Sequence, residues 1–431
     1  MSKSNTDADE MVSSDAEDSF ADGISRRKAL KTSAVAGGAA ATAGCLGANS
    51  GGDRAPTVYV TNNSERTISV IDAAADEVID TLFIDAATSF PANQHGTGAD
   101  SEYDVLWFNV SGGVEAYDPE TLEMIAEVET GFGPNYQNVT PDGEHLVIAS
   151  GGTTQLNPNP DNPEDMVYTR VDANPDSDTF GEVTGEISTG YVGPCDMTMG
   201  PDSEYAFAVD VAGEALRVLN VDPFETVAEV DVGESLVDGD VLPFMCTASF
   251  DGEVLFVENG EGQLGPEGER VGSESIWDIS DPENPTELAK LGAEDGLSGS
   301  PITSEISPDN EAAYLFTPGQ GVVVVDIAEQ TIEKELDIGG TAISGTWGPN
   351  REKLYVPVGD ANQVAVIDHE QRAVTTTIDV GEGPTGATSG MVRPNDDAAA
   401  SILGTFASLG LRVGEFPTTF CPDGYCYCGK P

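Results

Sequence analysis

Residues 57–84 read TVYVTNNSERTISVIDAAADEVIDTLFI: short apolar or alternating stretches separated by turn residues. Runs of this length, bounded by Gly, Pro, Asn and Asp, predict strands and are too short for helices. The pattern recurs along the chain. Stretches reading as a second strand begin at 58, 105, 145, 205, 254, 313 and 353. Third-strand stretches, mostly closing on Asp, begin at 68, 113, 166, 215, 275, 321 and 363, and amphipathic fourth strands at 77, 123, 182, 225, 286, 331 and 373. The remaining strand of each unit ends in a turn marker: ADS (99), PDG (141), PDS (201), FDG (250), PDN (308), PNR (349) and PND (394). Successive markers lie 41–60 residues apart, the spacing of four-stranded propeller blades.

One such unit cannot bury both of its faces, but seven stacked radially can. The chain enters at a second strand (58) and finishes with a first strand, GATSGMVRP (386–394). The expectation is therefore all-β: a seven-bladed β-propeller of four-stranded antiparallel blades over 57–397. Its C-terminal strand completes the first blade and removes an exposed edge.

Composition changes the picture in one respect. Lys and Arg number 18 against 76 Asp and Glu, a formal net charge of −58 over 431 residues. Such a surface repels phosphates and excludes nucleic acid as a partner. The carboxylates are spread along the whole chain, which points to adaptation to high salt, where screening lengths are short.

The N-terminal segment reads as an address. Arg26 and Arg27 stand before a mild Ala/Gly run that ends in TAGC at Cys45. Basic residues, an apolar stretch and small residues before a cut are the parts of an export signal. The arginine pair resembles the twin-arginine signal for folded proteins, and Cys45 resembles a lipobox cysteine that becomes the lipidated first mature residue. Residues 1–44 are thus expected to be signal peptide, 45–56 a flexible linker and 398–431 a Cys-containing tail. The expected location is the outer face of the cell membrane, with the membrane as partner through the lipid and the protein a monomer.

VYVTN (58–62), together with SVID (69–72), resembles the YVTN-repeat family of β-propellers, and the whole resembles a twin-arginine-exported lipoprotein of haloarchaeal type. The resemblance covers residues 57 to about 395 and implies the fold. It leaves the chemistry open, because the family includes surface scaffolds and haem-binding relatives in nitrite reductases, and similar propellers occur among lactonases.

Candidate chemistry is sparse. No nucleophile elbow, P-loop or HExxH motif is present. Two long insertions, 151–166 and 259–273, fall between second and third strands, so both lie on one face of a propeller, the expected binding face for a protein or small molecule. Among sequons, Asn62 is the fairest glycosylation candidate.

Aligned on the turn markers, His95, Met197 and Cys246 stand four positions before, and Cys195 six before. If these tiers face the axis, the four residues converge on a channel where imidazole, thiol and thioether suit copper or haem iron. The plainer reading is ordinary packing with a Cys195–Cys246 disulfide between the fourth and fifth blades. Cys421 would then pair with Cys426 or Cys428. With Cys45 lipidated, five cysteines remain, an odd number that leaves at least one outside any intrachain pair. Two functions are compatible with these residues: a lipid-anchored binding or scaffold module, and a metal- or haem-bearing propeller in electron transfer or oxidation.

The leader yields a direct test. Replacing Arg26 and Arg27 together by Lys is expected to retain the protein inside the cell, and Cys45→Ser to abolish lipidation. Fractionation with lipid labelling reads both, and normal export of the double-Lys protein contradicts the twin-arginine signal.

Overall fold

A computed structural model describes residues 54–84, 105–110, 112–130, 134–150, 166–190, 193–211, 213–262 and 270–394. The described residues form a seven-bladed propeller. Blade 1 holds β1 (Thr57–Asn62), β2 (Thr67–Asp72) and β3 (Glu77–Phe83). Blade 2 holds β4 (Leu106–Val110), β5 (Gly113–Tyr117) and β6 (Met124–Glu129). The segment expected to give blade 2 its first strand lies outside the described residues.

Blade 3 holds β7 (Tyr136–Val139), β8 (His145–Ser150), β9 (Val167–Asp172) and β10 (Val183–Ser188). Blade 4 holds β11 (Pro194–Met199), β12 (Tyr205–Asp210), β13 (Ala215–Asn220) and β14 (Glu225–Asp231). Blade 5 holds β15 (Asp240–Ala248), β16 (Val254–Gly262), β17 (Arg270–Asp278) and β18 (Thr286–Leu291). Blade 6 holds β19 (Thr303–Ile306), β20 (Ala312–Thr317), β21 (Gly321–Asp326) and β22 (Thr331–Leu336). Blade 7 holds β23 (Thr346–Trp347), β24 (Lys353–Val358), β25 (Gln363–Asp368) and β26 (Ala373–Asp379). The last strand, β27 (Pro384–Gly390), returns to pair with β1, giving the order β27-β1-β2-β3.

Alternating side chains of each blade enter two different apolar clusters, one against each neighbour. Val58 and Val60 of β1 pack with Tyr355, Val364 and Val366 of blade 7. Tyr59, between them, packs with Leu106 and Phe108 of blade 2. Seven such clusters fill the seven interfaces, and this two-sided burial explains the nearly continuous apolar runs of the inner strands.

Turn chemistry is repeated with the blades. In PDG (141), FDG (250) and PDN (308) the Asp accepts from a Ser or Thr hydroxyl two residues earlier: Thr140, Ser249 and Ser307. The third marker residue is left-handed in each, with φ of 74° at Gly143, 71° at Gly252 and 58° at Asn310, where Gly and Asn are the least strained choices. The Asp that closes a third strand accepts backbone N–H groups of the next turn, as Asp72 does from Ala74 (2.9 Å) and Asp118 from Glu120 (2.8 Å).

Each of the seven outer strands carries a one-residue bulge opposite its partner. The extra residues are Ile79, Ile125, Thr184, Val227, Leu288, Glu333 and Thr375. A bulge twists the strand and interrupts its regular free edge, which protects a rim that would otherwise template edge-to-edge pairing.

Closure is built from more than the β27 ladder. The Tyr59 hydroxyl donates to the Val392 carbonyl, the Ala55 N–H donates to that of Met391 at 2.9 Å, and Arg393 pairs with Asp72 at 2.9 Å. On the other side of blade 1, Asp76 accepts from Lys353 (2.6 Å) and from the Tyr355 hydroxyl (2.7 Å) of blade 7. One expectation fails here: Asn62 is fully buried, and its amide donates to Thr67 and Ser69, so no glycosylating enzyme reaches it in the folded protein.

Deleting the chain from residue 384 onward removes β27 and the Arg393 clamp together. Loss of the cooperative unfolding transition is expected, because β1 then presents an unpaired edge and blade 7 loses part of its neighbour. Calorimetry reads the outcome; a truncated protein melting like the full chain contradicts closure by β27.

Candidate axial site

The side chains at the axis come from a different tier than the sequence suggests. A polar cavity lies between the inner strands of blades 3 to 7. It is lined by Tyr136 and Asn138 of β7, Asp196 and Thr198 of β11, Met245 and Thr247 of β15, Thr303 and Glu305 of β19, and Ser344 just before β23. These residues stand three and five positions before their turn markers. Cys246 and Ser304 add to the lining from the intervening tier. The space enclosed has room for roughly one water molecule.

The tier four positions before the markers faces the preceding blade instead. Gln137 donates to the Trp107 carbonyl of blade 2 at 3.0 Å. Met197 packs among Val147, Ala149 and Tyr168 of blade 3, and the Cys246 thiol lies 3.4 Å from the Phe207 carbonyl of blade 4. Side chains stand perpendicular to a sheet, and each blade's sheet faces its neighbours, so this tier fills interfaces.

Cys195 departs again. A register shift between Pro194 and Asp196 turns it to the blade 4–5 side, into the same apolar cluster as Cys246. Cys195 and Met197 therefore face opposite neighbours, and convergence of Cys195, Met197 and Cys246 on one metal or haem iron is not formed. The Cys195–Cys246 disulfide is not formed either. Cys246 is a buried free thiol, while Cys195 is disulfide-bonded to a partner outside the described residues. His95, Cys421, Cys426, Cys428, Cys45, Arg26 and Arg27 also lie outside them. His369 serves structure: it bonds Asp309 at 2.9 Å and the Tyr314 hydroxyl at 2.8 Å, across the blade 6–7 boundary.

The electrostatics of the axial region are one-sided. Asp196 is buried; one carboxylate oxygen accepts the Cys246 N–H at 2.8 Å, and the other has no hydrogen-bond partner. Burial, with the Glu258 charge adding to it, pushes its carboxyl well above the usual range. Behind the cavity, Glu258 of β16 and Glu274 of β17 are direct cross-strand partners. Both are fully buried; Ser304 lies against the Glu258 carboxyl, while neither carboxylate oxygen of Glu274 has a hydrogen-bond partner among the described residues. Burial raises Glu258 to about 8 and pushes Glu274 well up, with the Glu258 charge contributing. Cys246 is held as the neutral thiol by its burial and by the Asp196 and Glu258 carboxylates.

Sequence reasoning missed Asp196, Glu305, Asn138 and their tier. A signal was present: the position three before the marker is Asn138, Thr198, Thr247, Glu305 and Thr346 in blades 3 to 7, polar in each repeat.

No protein-family model matches the chain, and no curated protein matches it. Solved structures do. Hydrazine synthase of Kuenenia stuttgartiensis aligns at 16% identity with a TM-score of 0.58, covering 75% of this chain and 98% of that one. The periplasmic gluconolactonase of Pseudomonas aeruginosa aligns at 16% identity and a TM-score of 0.58, covering 79% and 99%. A putative 6-phosphogluconolactonase of Bacteroides fragilis aligns at 15% identity and a TM-score of 0.55, covering 79% and 99%. At these identities the likeness is one of fold alone.

The buried glutamate pair sets a pH dependence. Between the ordinary glutamate range and about pH 8 the folded protein keeps a proton on Glu258 that the unfolded chain has already released. Unfolding then releases that proton, so stability is highest below the range and falls as pH rises through it. Urea unfolding between pH 5 and pH 8 is expected to show a decline of about 1.4 kcal/mol per pH unit for each proton so held, with Glu274 and Asp196, also raised, adding to the share of Glu258. Glu258→Gln should make the decline shallower without abolishing it; an unchanged slope in that variant contradicts the assignment.

Proposed function

We propose that this protein is a lipid-anchored, extracytoplasmic β-propeller of haloarchaeal type that binds a protein or small-molecule ligand at the cell surface. The binding face is the one bearing the interblade connections and the second-to-third-strand hairpins. One observation carries this reading: β15, β16 and β17 of blade 5 run nine residues each, where β12 and β13 of blade 4 run six. Three extra residues raise the blade 5 hairpin by about 10 Å on that face.

The hairpin is braced where it leaves the ring. Glu261, buried near its upper end, pairs with Lys290 at 3.4 Å and accepts the Ser235 hydroxyl at 3.1 Å and the Leu236 N–H. Lys290 also donates to the Glu234 carbonyl at 2.8 Å, tying the hairpin to the blade 4–5 connection. A raised, braced element on the loop face suits recognition, since less order has to be gained on binding. Arg26, Arg27 and Cys45 support delivery to the outer membrane surface. The copper or haem alternative draws no support from Cys195, Met197 and Cys246, which face different blades.

The Glu258–Glu274 register permits a clean deletion, because replacing 259–273 by Asn-Gly leaves a two-residue hairpin. The shortened protein, which loses Glu261 and the partners of β15 residues 240–243, is expected to melt lower than the parent but still in one cooperative step, and to lose crosslinking to its surface ligand on intact cells by at least about tenfold, the equivalent of 1.4 kcal/mol. The same crosslinked species at the same yield would remove this face from consideration.

A further inference from the structure

We propose that Glu258 and Glu274 form a proton-held latch: while both carboxyls are neutral, the upper ends of β16 and β17 lie closed against the blade 5–6 connection, and ionisation of the pair parts the two. The device concerns the order of these strand ends and does not depend on what the hairpin above them binds.

The position of the pair carries the argument. On the blade 6 side of β16 and β17, side chains stack in rungs. Phe256 and Ile276 form the rung below and enter the blade 5–6 apolar cluster with Ile306 and Leu315. Glu258 and Glu274 come next on the same face. Gly260 and Gly272 form the rung above. A Cβ at Gly272 would run into the Cα and side chain of Ser300, in the connection to blade 6. The absence of a side chain at Gly272 lets that backbone come down over the pair. The two fully buried glutamates are therefore shut between an apolar floor and a backbone lid, and the lid borders solvent, because Ser300 is exposed.

The surroundings favour the neutral form. Direct cross-strand partners hold their Cβ atoms about 5 Å apart, so two charges here repel at close range. Neither Glu274 carboxylate oxygen has a hydrogen-bond partner among the described residues, while Ser304 of β19 lies against the Glu258 carboxyl. The titratable groups facing the pair from neighbouring strands are Asp196 of β11, Cys246 of β15, Tyr136 of β7 and Glu305, next to Ser304 in β19. Each of them is an acid. Lys290 of β18 stands on the opposite face of the blade, with Glu261 and the blade 4–5 connection.

The two sides of the strand ends are thus fastened differently. Toward blade 4 an ion pair and hydrogen bonds hold them through Glu261, whereas toward blade 6 Gly272 rests against Ser300. An ionised, buried pair needs water, and parting at Ser300 admits it. Burial keeps a proton on Glu258 up to about pH 8 and on Glu274 well above the usual range. The opened, hydrated pair holds its protons less tightly. Closure is therefore strongest below the ordinary glutamate range and is lost as pH rises toward about 8.

Hydrogen exchange of the full chain in concentrated KCl reads the latch without any ligand. Protection factors, which remove the intrinsic pH dependence of exchange, are compared between amides of 259–262 and 271–273 and those of β12 and β13 in blade 4. From pH 6 to pH 8 the blade 5 set is expected to lose protection by up to about tenfold per pH unit for each proton released, more steeply than the blade 4 set. In the double variant Glu258→Gln with Glu274→Gln, uncharged at every pH, the two sets should change alike. Gly272→Ala, whose methyl group holds the lid off, should leave the blade 5 set weakly protected already at pH 6 while blade 4 keeps the parent's protection. The proposal is overturned if the two sets of the parent fall in parallel, if the double variant keeps the steep blade 5 profile, or if Gly272→Ala is protected like the parent. Should either variant fail to fold, the other decides together with the parent profile.

Discussion

Face-to-face packing of one blade on the next is the constraint on which the rest of this molecule depends. A four-stranded blade has two apolar faces, and neither can be left to water. Tyr59 packs toward blade 2 while Val58 and Val60 pack toward blade 7. The same division runs through all seven interfaces, so each blade is stable only between two others. A linear stack would leave two faces bare at its ends. The ring removes both ends, and β27 fastens it by pairing residue for residue with β1, from Thr57 with Gly390 to Thr61 with Gly386.

The ring solves the problem of faces but creates seven outer edges. The repeated bulge answers it at the same place in every blade. Its side effect is to push Ile79, Ile125, Val227 and Leu288 outward to 37–47% exposure. These single aliphatic residues are separated around the rim and do not form one continuous patch. A net charge of −58 adds mutual repulsion between molecules at low salt, so the rim is guarded both by shape and by charge.

Toward the axis the chemistry inverts. The interfaces are apolar, whereas the cavity wall of blades 3 to 7 is built mainly from Asn, Asp, Thr, Ser and Glu, with Tyr136, Met245 and Cys246 as exceptions. Among the described residues the Asp196 carboxyl is given no guanidinium or ammonium partner of the kind seen elsewhere, such as Arg217 on Asp210 and Lys290 on Glu261. A fold shared with a hydrazine synthase, a gluconolactonase and proteins of other description does not choose a function. The unusual groups of this chain do so better, and they sit in two places: the raised hairpin of blade 5 and the acidic axis.

The sequence by itself determined the strand pattern, the number of blades and the closing strand, because each follows from local hydrophobic period and turn chemistry. PDG, FDG and PDN mark hairpins through hydrogen bonds within a few residues, so they are legible without a partner in view. The facing of the inner strands was not legible. Strand side chains reverse with every residue, and one bulge at Pro194–Asp196 is enough to send Cys195 to one neighbour and Met197 to the other. Asn62 read as an exposed sequon until β2 and β27 covered it on both sides. Only the tertiary structure decided which tier reaches the axis, because that depends on how far each blade is rotated against the next, and this rotation is set by packing between residues far apart in the chain.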